Sequence, residues 1–348
     1  MHQTGHHHPP NTLRGTSSTA AGSNVTVHEE TMFPFEFVWP VHKRPFLPYD
    51  EFSDVEIPTI DFTCLQTGDE AGKKQVVAQV RAACLDWGFF HAINHGIPLE
   101  LLDRVQIQAQ RFFDLPKEEK LKVQKKPGGH IGYEHAATGL KDYAMKIVPG
   151  VNEKLEKLAT KLMLVIVEGL EVNASHFERF VDKSSGILRW NHYPPCPQPL
   201  KTMGMDTHTD FNLITVLHQV SIGGVQLQKD GSWIAAKPRR GALAINIGDM
   251  LQALSNDLYK SIPHRAVVNS TQSRLSMAYF YAPSLETEIS PLPKLVQRNN
   301  QSWNYKPFTV AEFLAAKKEK VFNTLERFRI HQTPPQCSSH TTPTAEYA

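Results

Sequence analysis

The run Ile187-Leu188-Arg189-Trp190-Asn191-His192-Tyr193 marks a change of texture along this chain. From there, short apolar runs alternate with turn residues: LITVLH (213–218), GGVQLQ (223–228), SWIAA (232–236), ALAINI (242–247), RAVVN (265–269) and RLSMAYFY (274–281). Lys229-Asp230-Gly231 between two of these runs is a hairpin signal. Many short strands at this spacing predict a sandwich or jelly roll, not a parallel sheet. The core is thus expected between about 187 and 282, in a mainly β chain with flanking helices.

Working outward, the segment before this core reads differently. Residues 33–60 are rich in proline and aromatics and end in VEIPTIDF, an extended chain closing in a short strand. Val76, Val77, Val80, Ala83, Cys84 and Trp87 fall at helical spacing. A strand is expected from Gly88 to about Ile93, with a turn at Asn94–Gly96. Leu101, Leu102, Val105, Ala109, Phe112 and Phe113 give a second amphipathic helix, and Pro116 can start a short one over Lys117–Val123. Leu155, Leu158, Leu162 and Ile166 give a third, and residues 309–329 return to helix. Residues 1–31, rich in Ser, Thr, Gly and His, read as a disordered leader, with His6, His7 and His8 part of a flexible polar tail.

Composition excludes several classes. The 37 basic and 35 acidic residues leave a net charge of +2, which offers nothing to nucleic acid or an anionic membrane surface. No run of about 20 apolar residues exists, so no membrane span is expected, and no apolar signal core is seen. Cys64, Cys84, Cys196 and Cys337 are irregularly spaced and form no Cys-x-x-Cys pair. A reducing, cytoplasmic setting and a monomer are expected. Cys196 follows two prolines and reads as a buried small residue.

Within the β region stands His208-Thr209-Asp210, and His264 follows 54 residues after Asp210. On a strand, residues i and i+2 share a face about 6.6 Å apart, so His208 and Asp210 can aim at one point. Two imidazoles and a carboxylate on one face of an ion leave three positions open, the arrangement of iron(II) oxygenases. A bare His-x-Asp is weak on its own. Arg274 and Ser276 add weight: they are again i and i+2, on an apolar strand. An arginine fork beside a hydroxyl suits a carboxylate, and a buried arginine is costly without an anion. An internal salt bridge is the plainer alternative. His91 and His95 read as structural, and His130, His135, His176 and His218 as surface or packing residues.

These residues resemble the iron(II)/2-oxoglutarate-dependent dioxygenases, in the plant branch related to isopenicillin N synthase. Asn191-His192-Tyr193-Pro194-Pro195-Cys196-Pro197 is similar to the family's Asn-Tyr-Tyr-Pro-Pro-Cys run, with His192 departing from its tyrosine. Gly223-Gly224-Val225-Gln226-Leu227, Asn246-Ile247-Gly248-Asp249, Ile57-Pro58-Thr59-Ile60-Asp61 and Trp87-Gly88-Phe89-Phe90 match as well, and the likeness spans about 33–329. The resemblance implies a double-stranded β-helix, or jelly-roll, core. It implies iron on His208, Asp210 and His264, and 2-oxoglutarate on Arg274 and Ser276 with help from Asn191 and Tyr193. No catalytic residue beyond the metal centre is implied. O₂ is the oxidant, ascorbate the reductant, and the products are succinate, CO₂ and an oxidised small molecule. The divisions expected are a leader at 1–31, a helical and strand region at 32–180, the jelly-roll domain at 181–284, and a helical segment and tail at 285–348.

Finer motifs point to the substrate. Phe37-Val38-Trp39-Pro40 and Ile187-Leu188-Arg189-Trp190-Asn191 resemble gibberellin 20-oxidases, and Asp257-Leu258-Tyr259-Lys260-Ser261 resembles gibberellin 2-oxidases. A gibberellin-type diterpenoid acid is the expected substrate, with flavonoid or other specialised-metabolite oxidation as the rival. Near 139–141, where Ala137-Thr138-Gly139 runs into Leu140-Lys141-Asp142-Tyr143, the chain reads as a few tens of residues shorter than the family pattern. A truncated isoform that binds 2-oxoglutarate without turnover is therefore a further alternative.

Overall fold

The computed structural model describes residues 35–51, 55–126, 132–135, 142–145, 151–173, 175–181, 185–299, 302–319 and 323–330. The leader at 1–31, residues 139–141 and Cys337 lie outside them. Among these residues fourteen strands form three sheets, of which one is the small pair Glu288–Ile289 with Phe308–Thr309; the other twelve strands make the two sheets around the core. They are β1 (Thr59–Asp61), β2 (Phe89–Ile93), β3 (Gly132–His135), β4 (Asp142–Met145), β5 (Ser185–Tyr193), β6 (Met205–His208), β7 (Ile214–Gln219), β8 (Val225–Lys229), β9 (Ser232–Ala235), β10 (Leu243–Ile247), β11 (His264–Ala266) and β12 (Arg274–Ala282). The larger sheet runs β1-β2-β10-β7-β12-β5-β4-β3, and the smaller runs β6-β11-β8-β9. The two sheets face each other across the cavity described below, in the jelly-roll arrangement.

Strand β12 shows why this sheet is the centre of the molecule. All nine of its residues are buried, and it pairs antiparallel with β5 on one side and β7 on the other. A strand covered on both faces can carry an unbroken apolar run, as Met277-Ala278-Tyr279-Phe280-Tyr281 does. The β8–β9 hairpin has Lys229 opposite Ser232, leaving a two-residue loop in which Asp230 and Gly231 both take positive φ. That is the turn geometry matched to strand twist.

The helices are α1 (Cys64–Thr67), α2 (Glu70–Asp86), α3 (Leu99–Phe113), α4 (Lys117–Leu121), α5 (Asn152–Gly169), α6 (Ser175–Val181), α7 (Asp249–Leu254), α8 (Pro293–Arg298) and α9 (Val310–Glu319). Asp69 caps α2 by accepting from the Ala71 N–H at 3.1 Å. Val76, Val80, Ala83 and Cys84 then form the buried stripe that packs on α5. In α5 the stripe is Leu155, Leu158, Leu162 and Ile166, all buried.

The structure departs from the sequence reading in three places. Strands β1 and β2 are parallel, because the chain between them crosses over through α1 and α2. The sheet is therefore mixed at this edge and antiparallel elsewhere. The short helix after Pro116 stops at Leu121, where α4 ends. The stretch 309–329 is not one helix: α9 is followed by Asn323 at φ +56° and a 3₁₀ turn over Thr324–Phe328. Arg329 then pairs with Asp257 at 2.7 Å, which a continuous helix would not deliver to that site. Cys64, Cys84 and Cys196 are buried free thiols, and no helix among the described residues is long and apolar enough to cross a membrane.

Gly88 joins α2 to β2 at φ +60°. A Cβ there would lie 2.5 Å from the Lys260 carbonyl oxygen and 2.6 Å from Ile262 Cγ1. The Lys260 carbonyl and the Ile262 side chain, just ahead of His264, thus pack directly on this glycine. Gly88→Ala should cost about 2–4 kcal/mol, combining left-handed strain with overpacking. Urea unfolding would show it as a lower midpoint at constant m-value. A loss below roughly 0.5 kcal/mol would mean that the 260–262 segment yields freely.

Candidate metal and 2-oxoglutarate site

His208 ends β6 and His264 begins β11, and the two are direct cross-strand partners. Their ring centroids are 4.3 Å apart. Asp210 lies beyond the end of β6, in irregular chain, so the strand alternation that would align it with His208 does not apply. Hydrogen bonds place it instead. The Asp249 N–H, at the start of α7, donates to the Asp210 carbonyl at 2.7 Å. On the side chain, Oδ2 accepts from Thr215 Oγ1 at 2.6 Å and from Asn246 Nδ2 at 2.8 Å. Oδ1 stands 3.6 Å from His208 Nε2 and 3.7 Å from His264 Nε2.

The three side chains fit a divalent ion. Each histidine turns Nδ1 to the carbonyl two residues earlier: His208 to Asp206 at 2.8 Å, His264 to Ile262 at 3.0 Å. A carbonyl only accepts, so Nδ1 carries the proton and Nε2 keeps its lone pair for a metal. Thr215 and Asn246 occupy Oδ2 and leave Oδ1 for the ion. Ligands at about 2.1 Å from a shared ion stand roughly 3–3.6 Å apart, close to the separations seen. Burial lowers the His208 pKa to about 3, with contributions from His264 and Arg189, so its ring stays neutral. Burial alone would raise Asp210, but the two imidazoles, Thr215 and Asn246 overcome it and hold the carboxylate charged. Among the described residues this is the one cluster of His, Cys, Asp or Glu with metal-ligand spacing.

Behind the ligands stands a polar brace. Thr209, between His208 and Asp210, donates its hydroxyl to Asp249 at 3.0 Å, and Lys317 of α9 donates to the Thr209 carbonyl at 3.0 Å. Burial raises the Asp249 pKa to about 6 despite Lys317 at 4.0 Å. On the other side, Lys43 pairs at 2.7 Å with Asp206, whose carbonyl orients His208.

The same cavity continues along β12 and β5. Arg274 is 1% exposed, and among the described residues no carboxylate lies within ion-pair distance of it. An internal salt bridge is therefore not what holds this arginine. Nη2 donates to Gln219 Oε1 at 3.2 Å, Nη1 reaches Ser276 Oγ at 3.5 Å, and Nε has no partner among the described residues. Its guanidinium lies 4.9 Å from the centre of the Tyr193 ring. Asn191, opposite Ser276, is buried with Oδ1 unpartnered. A buried cation with an idle donor needs an anion. Gly224 makes room for it, since a Cβ there would sit 2.8 Å from the arginine's Nε.

The structure thus gathers every residue singled out in the sequence around one cavity: His208, Asp210, His264, Arg274, Ser276, Asn191 and Tyr193. It adds Thr215, Asn246, Gln219 and Lys317. Asn246 and Gly224 sat in matching motifs to which no role was given. Thr215 and Lys317 carried no signal, and Gln219 stood only in the run Leu217-His218-Gln219, which resembles gibberellin oxidases. His91, His95 and His218 are buried outside the metal cluster. His95 Nδ1 accepts from the Ile97 N–H at 3.2 Å, and burial lowers His91 and His218 to about 4.

Fold and site together define a metal-dependent enzyme that also holds a carboxylate ligand. Residues 184–283 match the family model of the 2OG-Fe(II) oxygenase superfamily, and 57–156 match the model described as non-haem dioxygenase in morphine synthesis N-terminal. The chain is 33% identical to gibberellin 20 oxidase 1-D of Triticum aestivum, covering 87% of this chain and 94% of that one. It is also 33% identical to thebaine 6-O-demethylase of Papaver somniferum, over 69% of this chain and 75% of that one. The crystal structure of JOX2 in complex with 2OG, Fe and JA superposes with a TM-score of 0.76 at 28% identity, covering 88% of this chain and 96% of that chain. The chain belongs to the 2OG-Fe(II) oxygenase superfamily and is a 2-oxoglutarate-dependent dioxygenase.

Thr215→Val keeps the side-chain shape and deletes the hydroxyl that holds Asp210. Titration of the metal-free protein with Mn(II) should show affinity reduced about 10- to 100-fold. Unchanged affinity would separate Thr215 from the metal site.

Proposed function

We propose that His208, Asp210 and His264 hold iron(II), that Arg274 and Ser276 with Asn191 and Tyr193 hold 2-oxoglutarate, and that the substrate is a gibberellin-type diterpenoid acid. The observation that carries this is the buried, acid-free Arg274 in the cavity of the three ligands. Bound iron with 2-oxoglutarate supplies O₂ activation, which converts the co-substrate to succinate and CO₂ and oxidises the substrate. The chain's own residues orient and exclude. Asp206 and Ile262 fix the imidazole tautomers, Gln219 aims Arg274, and Phe89, Leu217 and Val225 line the cavity with apolar surface.

The gibberellin assignment draws on the Triticum aestivum relative together with the motifs at 37–40, 187–191 and 257–261. Flavonoid or other specialised-metabolite oxidation is the rival, since a thebaine demethylase is also 33% identical, over a shorter stretch. A cytoplasmic monomer using ascorbate as reductant completes the proposal, with division boundaries at 31, 180 and 284.

A second reading has its own support. The alignment to the Triticum aestivum relative runs over 343 positions, to which this chain contributes 87% of its 348 residues, about 303. About 40 aligned positions thus have no residue here. We place the shortfall near 139–141, between β3 and β4 in the chain order, so that turnover is impaired while iron and 2-oxoglutarate still bind.

Incubation with iron(II), ascorbate, 2-oxoglutarate and a panel of gibberellin precursors should release succinate. His208→Ala should abolish the release, and Arg274→Ala should raise the 2-oxoglutarate requirement about 10- to 100-fold. Succinate release undiminished in His208→Ala would defeat the metal assignment. Tight 2-oxoglutarate binding without product from any precursor or flavonoid would favour the shortened, inactive form.

A further inference from the structure

Lys317 is a lysine turned inward. Helix α9 buries Val310, Phe313 and Ala316 and leaves Lys318 and Glu319 in solvent. Lys317 sits at the border of that buried stripe, with its side chain 21% exposed. The ammonium is 6.0 Å from the centre of the Phe313 ring, one turn back along the helix, where a long helical side chain points. Taking an ammonium partly out of water is costly unless it is paired. The partners are found behind the metal ligands. Nζ donates to the Thr209 carbonyl at 3.0 Å and stands 4.0 Å from Asp249 Oδ2. Among the described residues Lys317 is the one cation within ion-pair distance of that buried carboxylate.

These contacts close a ring around the chain between His208 and Asp210. Asp249 Oδ2 accepts from the Thr209 hydroxyl at 3.0 Å, and the Asp249 N–H donates to the Asp210 carbonyl at 2.7 Å. Further along, α7 holds the loop through Met250 N–H to the Asn212 carbonyl at 3.2 Å. The Thr209 carbonyl is reached from α9. It belongs to the peptide that enters Asp210. A peptide is planar, so a bond that fixes its carbonyl also fixes the N–Cα bond from which Asp210 projects. Two effects of Lys317 on a bound ion then oppose each other. A cation behind the site repels the ion, although Asp249 beside it offsets much of that field. Holding the Asp210 peptide in one orientation favours the ion. The sign of the change on removing Lys317 tells which effect wins.

We propose that Lys317 is a positioning residue for the metal: it fixes the peptide entering Asp210 and so links the docking of α9 to ion binding. The proposal rests on His208, Asp210 and His264 being the metal ligands. Such a link is reciprocal. If docked α9 raises metal affinity by some factor, bound metal holds α9 down by the same factor, and its amides open to solvent correspondingly less often.

The test titrates the full, metal-free chain with Mn(II) and follows hydrogen exchange in α9 with and without the ion. Wild type should bind Mn(II), and His208→Ala should not. Lys317→Met should bind about 10-fold more weakly, and Lys317→Arg should recover most of the loss. Ala316→Gly loosens the same helix without touching Thr209, so it should lower stability and leave Mn(II) affinity unchanged. Mn(II) should slow α9 exchange in wild type and not in Lys317→Met. Should Lys317→Met fail to fold, the double variant Lys317→Met with Asp249→Asn removes both charges and carries the same expectation. Affinity unchanged or raised on loss of Lys317, an equal loss in Ala316→Gly, or α9 protection by Mn(II) that survives without Lys317 overturns the proposal. Wild type that binds no Mn(II), or His208→Ala that binds it as tightly, brings down the metal reading too. A loss in His208→Ala with none in Lys317→Met removes only the role of Lys317.

Discussion

The pairing of His264 with His208 across β11 and β6 is the constraint on which the site depends. A slip of one residue would turn one imidazole to the far face of the smaller sheet and disperse the metal ligands. Several unrelated features guard that register. Strand β11 is held between β6 and β8, so it cannot slide against one neighbour alone. The segment before it is pressed on Gly88 and tied by the Ser261 N–H to Gln252 Oε1 at 2.7 Å. Gln252 also donates to Asp257, which Arg329 grips from the end of the described chain. Distant parts of the sequence thus converge on the backbone that presents His264.

The second constraint is electrostatic. Arg274 and Asp210 are both buried in one cavity and do not pair with each other. Asp210 is held charged by Thr215, Asn246 and the imidazoles, and Arg274 is held by Gln219, Ser276 and the face of Tyr193. Keeping a carboxylate and a guanidinium apart in a low-dielectric space is costly unless each has its own counter-charge. A cation at the ligand cluster and a carboxylate at Arg274 settle both at once. Iron(II) and 2-oxoglutarate, the pair used by this superfamily, meet the two demands.

Much of this was legible in the sequence because the residues that meet the ligands lie at short spacings. His208-x-Asp210 and Arg274-x-Ser276 are local patterns, and the apolar runs that carry them announce strands. What escaped reading is set by register between strands far apart in the chain. Thr215 lies opposite Asn246, and Gln219 opposite Ser276, only because β7 sits between β10 and β12. Lys317 reaches Thr209 from 108 residues away. The parallel β1–β2 pair follows from a helical crossover, which strand periodicity does not encode. Asp210 is the instructive case. Strand alternation pointed to the right residue, yet its carboxylate is placed beyond the strand end by two hydrogen bonds, from Thr215 and Asn246.

The most direct measurement is anomalous diffraction from crystals of the whole chain grown with Mn(II) in place of iron(II) and with 2-oxoglutarate. The account predicts one metal peak bound by His208 Nε2, Asp210 Oδ1 and His264 Nε2. It also predicts 2-oxoglutarate density running from that metal, with its far carboxylate on Arg274 and Ser276. A metal peak away from these three atoms, or a 2-oxoglutarate carboxylate that leaves Arg274 unpaired, would contradict it.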